Sequence, residues 1–319
     1  MSETYWYRVH GLIIASFSVL PAPSIVAPGA ADVTYSEQLR DDPLPPTQEI
    51  RHSRPDDVDN PWVIEHWTAR GLCVEFPGLA VFDISEDRIV LVANHSDDND
   101  LLAHLLLDHL VPRVVALHGD LMLHAAGAVG PSGRAHVLIG GTGAGKSTLG
   151  AAMAAAGWPL IDDDGIRIIR LNGQWCAVPG YAGVRLLPDA AKNVLPGAVP
   201  GRAMSNGHAK RRFAVEGTTM VMAAAPAPVG GVYHLNRTRR RSPSVERLGL
   251  GEAISSVLPH AFHLAHEPQA IKRQAFERSG DLATEVPVWK LMAPAGLARI
   301  SLTLALLSQL DTDCMTQPN

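Results

Sequence analysis

Apolar and polar positions change period several times along this chain, and the changes mark its elements. Tyr5 to Leu20 is rich in apolar residues, with the run Gly11 to Leu20 at its end, and it predicts β-structure. From Pro21 to Pro61 the pattern dissolves into Pro, Asp and Ser, with Asp-Asp-Pro-Leu-Pro-Pro at 41–46, which predicts loop. Short apolar runs return at Trp62–Trp67, Gly71–Phe76, Leu79–Ile84 and Arg88–Ala93, and turn residues separate them, as strands require. Leu101 to Leu117 has helical spacing, with Asn99 or Asp100 as the expected cap. Asp97, Asp98 and Asp100 read as the start of that helix on a solvated face, not as a metal site.

A boundary is expected near residue 110, dividing a mainly β region, 1–110, from a second domain, 111–319. The second domain opens on Leu121–Val129, read as one strand, and continues with Ala135–Ile139, a short apolar run suited to a buried strand. Thr148–Ala156 is a good helix former. Gly217-Thr218-Thr219 reads as a turn into a core strand at Met220–Ala224. Leu258–His266 and Ile271–Phe276 look helical, and Leu297–Leu310 predicts a C-terminal helix with a frayed polar tail.

Between the apolar run at 135–139 and the following helix lies Gly-Gly-Thr-Gly-Ala-Gly-Lys-Ser-Thr, residues 140–148. Gly140, Gly145, Lys146 and Ser147 satisfy Gly-x-x-x-x-Gly-Lys-Ser/Thr, the P-loop pattern. The glycines let backbone N–H groups turn inward around an anion, and the next helix offers its free N–H groups and positive dipole end. In such a loop the candidate phosphate ligands are Gly140, Gly141, Thr142, Gly143, Ala144, Gly145, Lys146, Ser147 and Thr148. Lys146 can reach the β- and γ-phosphates of ATP, and the Ser147 hydroxyl can serve Mg²⁺.

A second constellation follows closely. Leu160-Ile161 leads into Asp162, Asp163 and Asp164, and Asp163 follows Lys146 by only 17 residues. An apolar strand ending in acids is the general form of a metal-binding Walker B element. Adjacent carboxylates also suit two tasks, one holding metal and the other accepting a proton from an attacking hydroxyl. Upstream, His124 sits in Leu121-Met122-Leu123-His124-Ala125-Ala126-Gly127, a setting where a lone histidine is usually a core residue.

In their order, His124-x-x-Gly127, the P-loop and Leu160-Ile161-x-Asp163-Asp164 resemble the HPr kinase/phosphorylase family. The likeness covers about residues 120–190 well and the rest loosely. It implies an α/β fold: a P-loop kinase core of the HPr kinase/phosphoenolpyruvate carboxykinase type, with a smaller, mainly β N-terminal region. It also implies phosphate transfer from ATP to a serine hydroxyl, with Asp163 as general base, Asp164 and Ser147 on Mg²⁺, and His124 supporting Asp163. Asp162 stands where the family often has a small residue. The family's Glu-Ile-Arg-Gly-Leu-Gly signature is reduced here to Gly183-Val184-Arg185-Leu186-Leu187-Pro188-Asp189. Arg185 takes the place of the arginine, but the metal-binding glutamate is missing, which argues against the reverse phosphorylase reaction and against HPr as substrate. Tyr7-Arg8-Val9-His10-Gly11-Leu12 and Val286-Pro287-Val288-Trp289-Lys290-Leu291 look like a divergent branch that resembles the lasso-peptide precursor kinases.

Bulk properties narrow the partners. The chain has 319 residues, 46% hydrophobic and 18% charged, with net charge −5, which fits a globular protein and not a generally basic nucleic-acid binder. Aromatics at 5% give no sign of a base-stacking surface. Cys73, Cys176 and Cys314 lie far apart and suit a reducing compartment, so a cytoplasmic protein is expected. Gly11–Leu20 is too short to span a bilayer and lacks a signal peptide's charged start, so no membrane partner is expected.

Two basic runs remain. Lys210, Arg211 and Arg212 are candidates for phosphate stabilisation or peptide docking, and Arg237–Arg241 reads as a solvated loop. An arginine can complete a site in a neighbouring subunit, which leaves a homo-oligomer open. His260, His263 and His266 recur at a spacing of three and read as structural or surface residues. The expected function is an ATP-dependent serine kinase acting on a peptide or small protein. A nucleotide-gated peptide-binding module and a free-serine kinase stay open beside it.

Overall fold

The computed structural model describes residues 3–39, 49–54, 57–68, 71–181, 183–199, 210–213, 218, 220–262 and 269–316. The chain forms two compact units. One holds the described residues up to Gly119 together with Gln269–Gln274, and the other holds Asp120–Phe262 with Ala275 onward.

The first unit is built on strands β1 (Tyr5–Val9), β2 (Leu12–Ser16), β3 (Val33–Glu37), β4 (Glu49–Arg54), β5 (Asp57–Thr68), β6 (Gly71–Phe76), β7 (Ala80–Ile84) and β8 (Arg88–Asn94). They share one sheet in the order β1-β2-β3-β8-β7-β6-β5-β4. Alternation sends Leu72, Phe76, Phe82, Ile84 and Leu91 inward, where all are fully buried. Strands β3, β4 and the first half of β5 occupy sequence expected to be loop. In β3 the signal was present, since Val33 and Tyr35 alternate with exposed neighbours, but the surrounding prolines masked it. Residues 40–48 and 55–56 of that stretch lie outside the described residues.

The predicted helix at 101–117 is α1 (Asn99–Leu105), a π-helical turn at Leu106–Leu110 and α2 (Val111–Leu117). Its cap is Asp98 and not Asn99 or Asp100, because Asp98 Oδ1 accepts the N–H of Leu101 at 3.2 Å. Buried Arg113 donates from Nε to buried Glu65 Oε1 at 2.6 Å, pairing two charges that could not stay buried alone.

The second unit is a mixed α/β body. Its strands are β9 (Leu121–Leu123), β10 (Ala126–Val129), β11 (Ala135–Ile139), β12 (Leu160–Asp163), β13 (Ile166–Leu171), β14 (Gln174–Val178), β15 (Val184–Leu186), β16 (Arg211–Phe213), β17 (Ala227–Thr238), β18 (Ser244–Arg247) and β19 (Val288–Pro294). Its helices are α3 (Lys146–Ala155), α4 (Pro188–Val194), α5 (Leu250–Val257), α6 (Gln269–Glu285), which begins in the first unit, and α7 (Ile300–Thr316). The main path runs β12-β10-β11-β17-β14-β13-β9, with β19 also on β17, β18 on β19, and β15 and β16 paired apart.

β17 is the spine of this unit. It runs parallel to both β11 and β19, and its first residues pair with β14. Tyr233 and Leu235 point to the side packed by α3 and α7, with Leu149, Met153 and Leu307. Val232 points to the opposite side, with Val257 and Leu282 of α5 and α6.

Three expectations need correction here. Leu121–Val129 is two strands, because the chain breaks at His124–Ala125 and changes neighbours: β9 pairs with β13, and β10 with β11 and β12. Met220–Ala224 is no regular strand. It crosses the edge at one residue, with Leu160 donating to Val221 and accepting from Ala223, both at 2.7 Å. The C-terminal helix continues to Thr316, past the expected end at Leu310, with Asp311 buried at 2% exposure, and residues 317–319 lie outside the described residues. Gly217 and Thr219, His263 and His266 lie outside the described residues, and Leu258–His260 is a 3₁₀ turn. Among the described residues no helix is long and apolar enough to cross a membrane.

Candidate active site

Strand β11, buried along its whole length, delivers the chain to Gly140, and α3 begins at Lys146. The turn between them needs a glycine at 145, whose φ of +105° lies in the left-handed region. A Cβ there would also sit 3.1 Å from Nη2 of Arg237. Gly141, Thr142 and Gly143 are exposed, and Cβ atoms built on Gly141 and Gly143 would meet nothing within 4 Å. The loop therefore opens onto free space in front of a helix N-terminus, which suits an anion. Lys146 is 7% exposed and donates from Nζ to Gly140 O at 2.7 Å. Burial lowers its pKa, Asp164 opposes that, and Lys210 adds to it.

The acids stand at the end of β12, which pairs with β10. Gly127 lets β10 approach its other neighbour β11, since a Cβ on it would fall 2.7 Å from His136 O. Asp163 is 5% exposed, and its Oδ2 accepts the backbone N–H of Arg185 at 2.7 Å. Its Oδ1 is buried with no hydrogen-bond partner among the described residues. Burial first, and then the charge of Asp164, push its pKa up to about 6, against the pull of Arg185 and Ser147. Asp162, 2% exposed, turns Oδ1 onto the N–H of Asp163 at 2.6 Å.

Asp164 holds a φ of +95°, which costs a non-glycine residue on the order of 1 kcal/mol. Its own N–H is fixed on Ala125 O at 2.9 Å, so the break between β9 and β10 holds the strained residue. The Arg185 guanidinium meets its Oδ2 at 2.7 Å. His124 meets Asp164, not Asp163, with Nδ1 at 3.0 Å from the carbonyl and 3.4 Å from Oδ1. Burial lowers the His124 pKa, while Asp164 works against that. Among the described residues no cluster of three His, Cys, Asp or Glu could hold a metal by itself. Mg²⁺ asks for less, about one or two protein oxygens beside phosphate oxygens and water.

Of the expected phosphate-side cations, Arg185 joins the acids and Lys210 lies within electrostatic reach of Lys146. Arg212 stacks over Tyr181 at 4.9 Å from the ring centroid, and Arg211 is exposed. Arg237, read from sequence as part of a solvated loop, stands near the end of β17 with its guanidinium beside Gly145, and it is exposed like Arg239, Arg240 and Arg241. Arg237 also lines a hollow beside the P-loop with Ala144, Thr148, Ala293, Leu297 and Thr303. His234 carried no signal in the sequence, and His260 was read as structural. His260 lies within electrostatic reach of the P-loop lysine, and the pairing of β17 with β11 sets His234 opposite Ile139, the residue before the loop.

No family model matches the chain, and no curated protein matches it. Among solved structures it is similar to the HPr(Ser) kinase/phosphatase from Coxiella burnetii, at 15% identity over 61% of this chain and 90% of that one, with a TM-score of 0.33. A likeness this slight carries no argument about fold or activity.

Proposed function

We propose that this chain is an ATP-dependent serine kinase that phosphorylates a peptide or small protein, with the C-terminal serine of a lasso-peptide precursor as the first acceptor to test. The observation that carries the reading is Oδ1 of Asp163, buried with no hydrogen-bond partner among the described residues, beside a P-loop whose lysine is folded inward. A buried carboxylate oxygen without a donor is costly, and an acceptor hydroxyl would supply that donor.

The P-loop amides, Lys146 and the start of α3 would hold the triphosphate, and the hollow lined by Ala144, Thr148 and Arg237 suits the nucleoside side. Ser147 and Asp164 would hold Mg²⁺, which neutralises charge on the phosphate oxygens. Asp163 takes the proton of the serine hydroxyl as the new O–P bond forms and the bond to the ADP oxygen breaks. A carboxylate poised near pKa 6 is ionised at neutral pH, yet basic enough for that transfer. Arg185 fixes both acids at once, Asp163 through its N–H and Asp164 through its guanidinium. The remaining basic residues, Lys210 with Arg211 and Arg212, are assigned to the phosphate or to an acidic peptide.

Mass spectrometry tests this directly. Synthetic peptides ending in serine, and free serine, are incubated with the protein and MgATP. A one-phosphate mass gain on a peptide supports the reading. Gain on free serine alone moves the activity to a small-molecule kinase, and ADP release without any phosphorylated product would replace it with a nucleotide-gated module.

A further inference from the structure

A second cluster beside the P-loop has no role in this scheme. The segment at 258–262 is stitched onto the edge of β9: the His124 N–H donates to His260 O at 2.7 Å, the Phe262 N–H to Met122 O at 2.8 Å, and Leu123 bridges Ala261. This places the His260 ring against that of His234, with centroids 5.6 Å apart and planes at 75°. His234 is fixed from its other side by β17, whose register sets it opposite Ile139 of β11 and Lys290 of β19.

The surroundings of this pair are cationic. Lys146 and His124 act on His260, and Lys290 acts on His234. Among the described residues no carboxylate acts on either ring. Burial and these neighbours keep both imidazoles neutral, with His260 held down to about 4. Two half-buried imidazoles that lean on each other with Lys146 and Lys290 as their charged neighbours form a poor structural contact. They form a good receptor for an anion, which reverses every unfavourable interaction in the cluster at once.

We propose that His234 and His260 form an anion subsite beside the P-loop, which holds a phosphate-like dianion together with MgADP and takes up a proton as it does so. The inference rests on the nucleotide reading of the P-loop. The dianion can be the terminal phosphate of the bound nucleotide or a separate phosphate group, and the chemistry that recognises it is the same. An imidazole N–H donates to a phosphate oxygen, and the proton gained converts a neutral donor into a charged one.

Calorimetry tests this. MgADP, inorganic phosphate added to the MgADP complex, and a non-hydrolysable MgATP analogue are each titrated at pH 7 in two buffers of different ionisation enthalpy. The variants are His260→Ala, His260→Gln and His234→Gln. In the wild type, phosphate or the analogue should bind with uptake of up to about one proton, because the bound anion raises the pKa of an imidazole that its surroundings otherwise hold neutral. His260→Ala should weaken that binding about tenfold, as expected for one lost charge-assisted hydrogen bond, and leave MgADP within about twofold. The glutamines keep a donor, so they should recover part of the affinity but none of the proton uptake. Losses confined to the analogue place the subsite at the terminal phosphate, and losses confined to inorganic phosphate make it a separate site. Equal affinity and equal proton uptake in wild type and variants would overturn the proposal while leaving the P-loop reading intact. Absence of MgADP binding by the wild type would overturn both. Melting curves without ligand confirm that the variants are folded.

Discussion

The backbone N–H of Arg185 holds one oxygen of Asp163 at 2.7 Å, and the other oxygen is buried without a hydrogen-bond partner among the described residues. That asymmetry aims the carboxylate: Oδ2 is anchored and Oδ1 is free to meet a proton. Asp163→Asn keeps the shape and removes the basicity. Transfer should fall by roughly 10²–10⁴-fold while ATP affinity stays within a few-fold, because the loop amides and Lys146 remain. Radiolabel transfer measured beside ATP titration checks this, and unchanged transfer would remove Asp163 as the base.

The same residue sets a trade between activity and stability. Its folded pKa of about 6 lies above the unfolded value, so the folded state holds this proton more tightly. Its contribution is therefore fully favourable below about pH 4 and is lost as pH rises through 6, a change on the order of 2 kcal/mol. Asp163→Asn should raise the melting temperature at pH 7, and the gap should close towards pH 4. Wild-type transfer should decline as pH falls below about 6, where the base becomes protonated.

Lys146 lies buried with its ammonium on the Gly140 carbonyl. Lys146→Ala should reduce turnover by at least ~10²-fold, as loss of a preorganised electrostatic donor does. Steady-state kinetics on protein verified as folded by circular dichroism gives the answer. Near-normal turnover would take the P-loop out of the mechanism.

His124 steadies a strained aspartate through its carbonyl and carboxylate. His124→Ala should raise the Mg²⁺ concentration needed for half-maximal activity by about tenfold, as removal of an outer ligand-orienting group does. A Mg²⁺ titration of turnover, run beside a thermal melt, separates this from a packing role. A lower melting temperature with unchanged Mg²⁺ dependence would leave His124 as a core residue.

Far from the acids in sequence, buried Asp311 ties α7 to the β10–β11 turn. It accepts from His136 Nε2 at 2.9 Å and from the Ser132 N–H at 2.8 Å. Those donors hold its pKa below the usual range despite burial. A depressed carboxylate contributes stability above its unfolded pKa and loses it as pH falls through the folded value. Asp311→Ala should therefore cost about 3 kcal/mol near pH 7, and the difference from wild type should shrink below about pH 4. Urea unfolding at the two pH values measures it.

What could be read from the sequence was what chemistry keeps contiguous. The P-loop and the Asp162–Asp164 run are local because a phosphate cradle and a strand end are local objects. Strand β11 was legible because a fully buried strand is continuously apolar. His234 was not legible, since its position comes from the pairing of β17 with β11, made almost a hundred residues apart in sequence. Arg237 was hidden for the same reason, because nothing in Arg-Thr-Arg-Arg-Arg says that its first member stands beside Gly145. The break at His124–Ala125 was missed because an apolar run does not reveal where its hydrogen-bond partners change. It is that break which lets His124 meet Asp164.

Consecutive residues of β17 serve two compartments in alternation: Tyr233 and Leu235 the core under α3 and α7, and His234 between them the cluster with His260. Parallel neighbours on both sides lock that assignment. A change of residue at one of these positions disturbs one compartment. A change of length ahead of the strand would exchange the two, since a slip of one residue turns every side chain to the opposite face. The gene should therefore accept substitutions along β17 more readily than codon insertions or deletions immediately before it, and in natural variants the spacing from Ala227 to Arg237 should vary less than the residues that fill it.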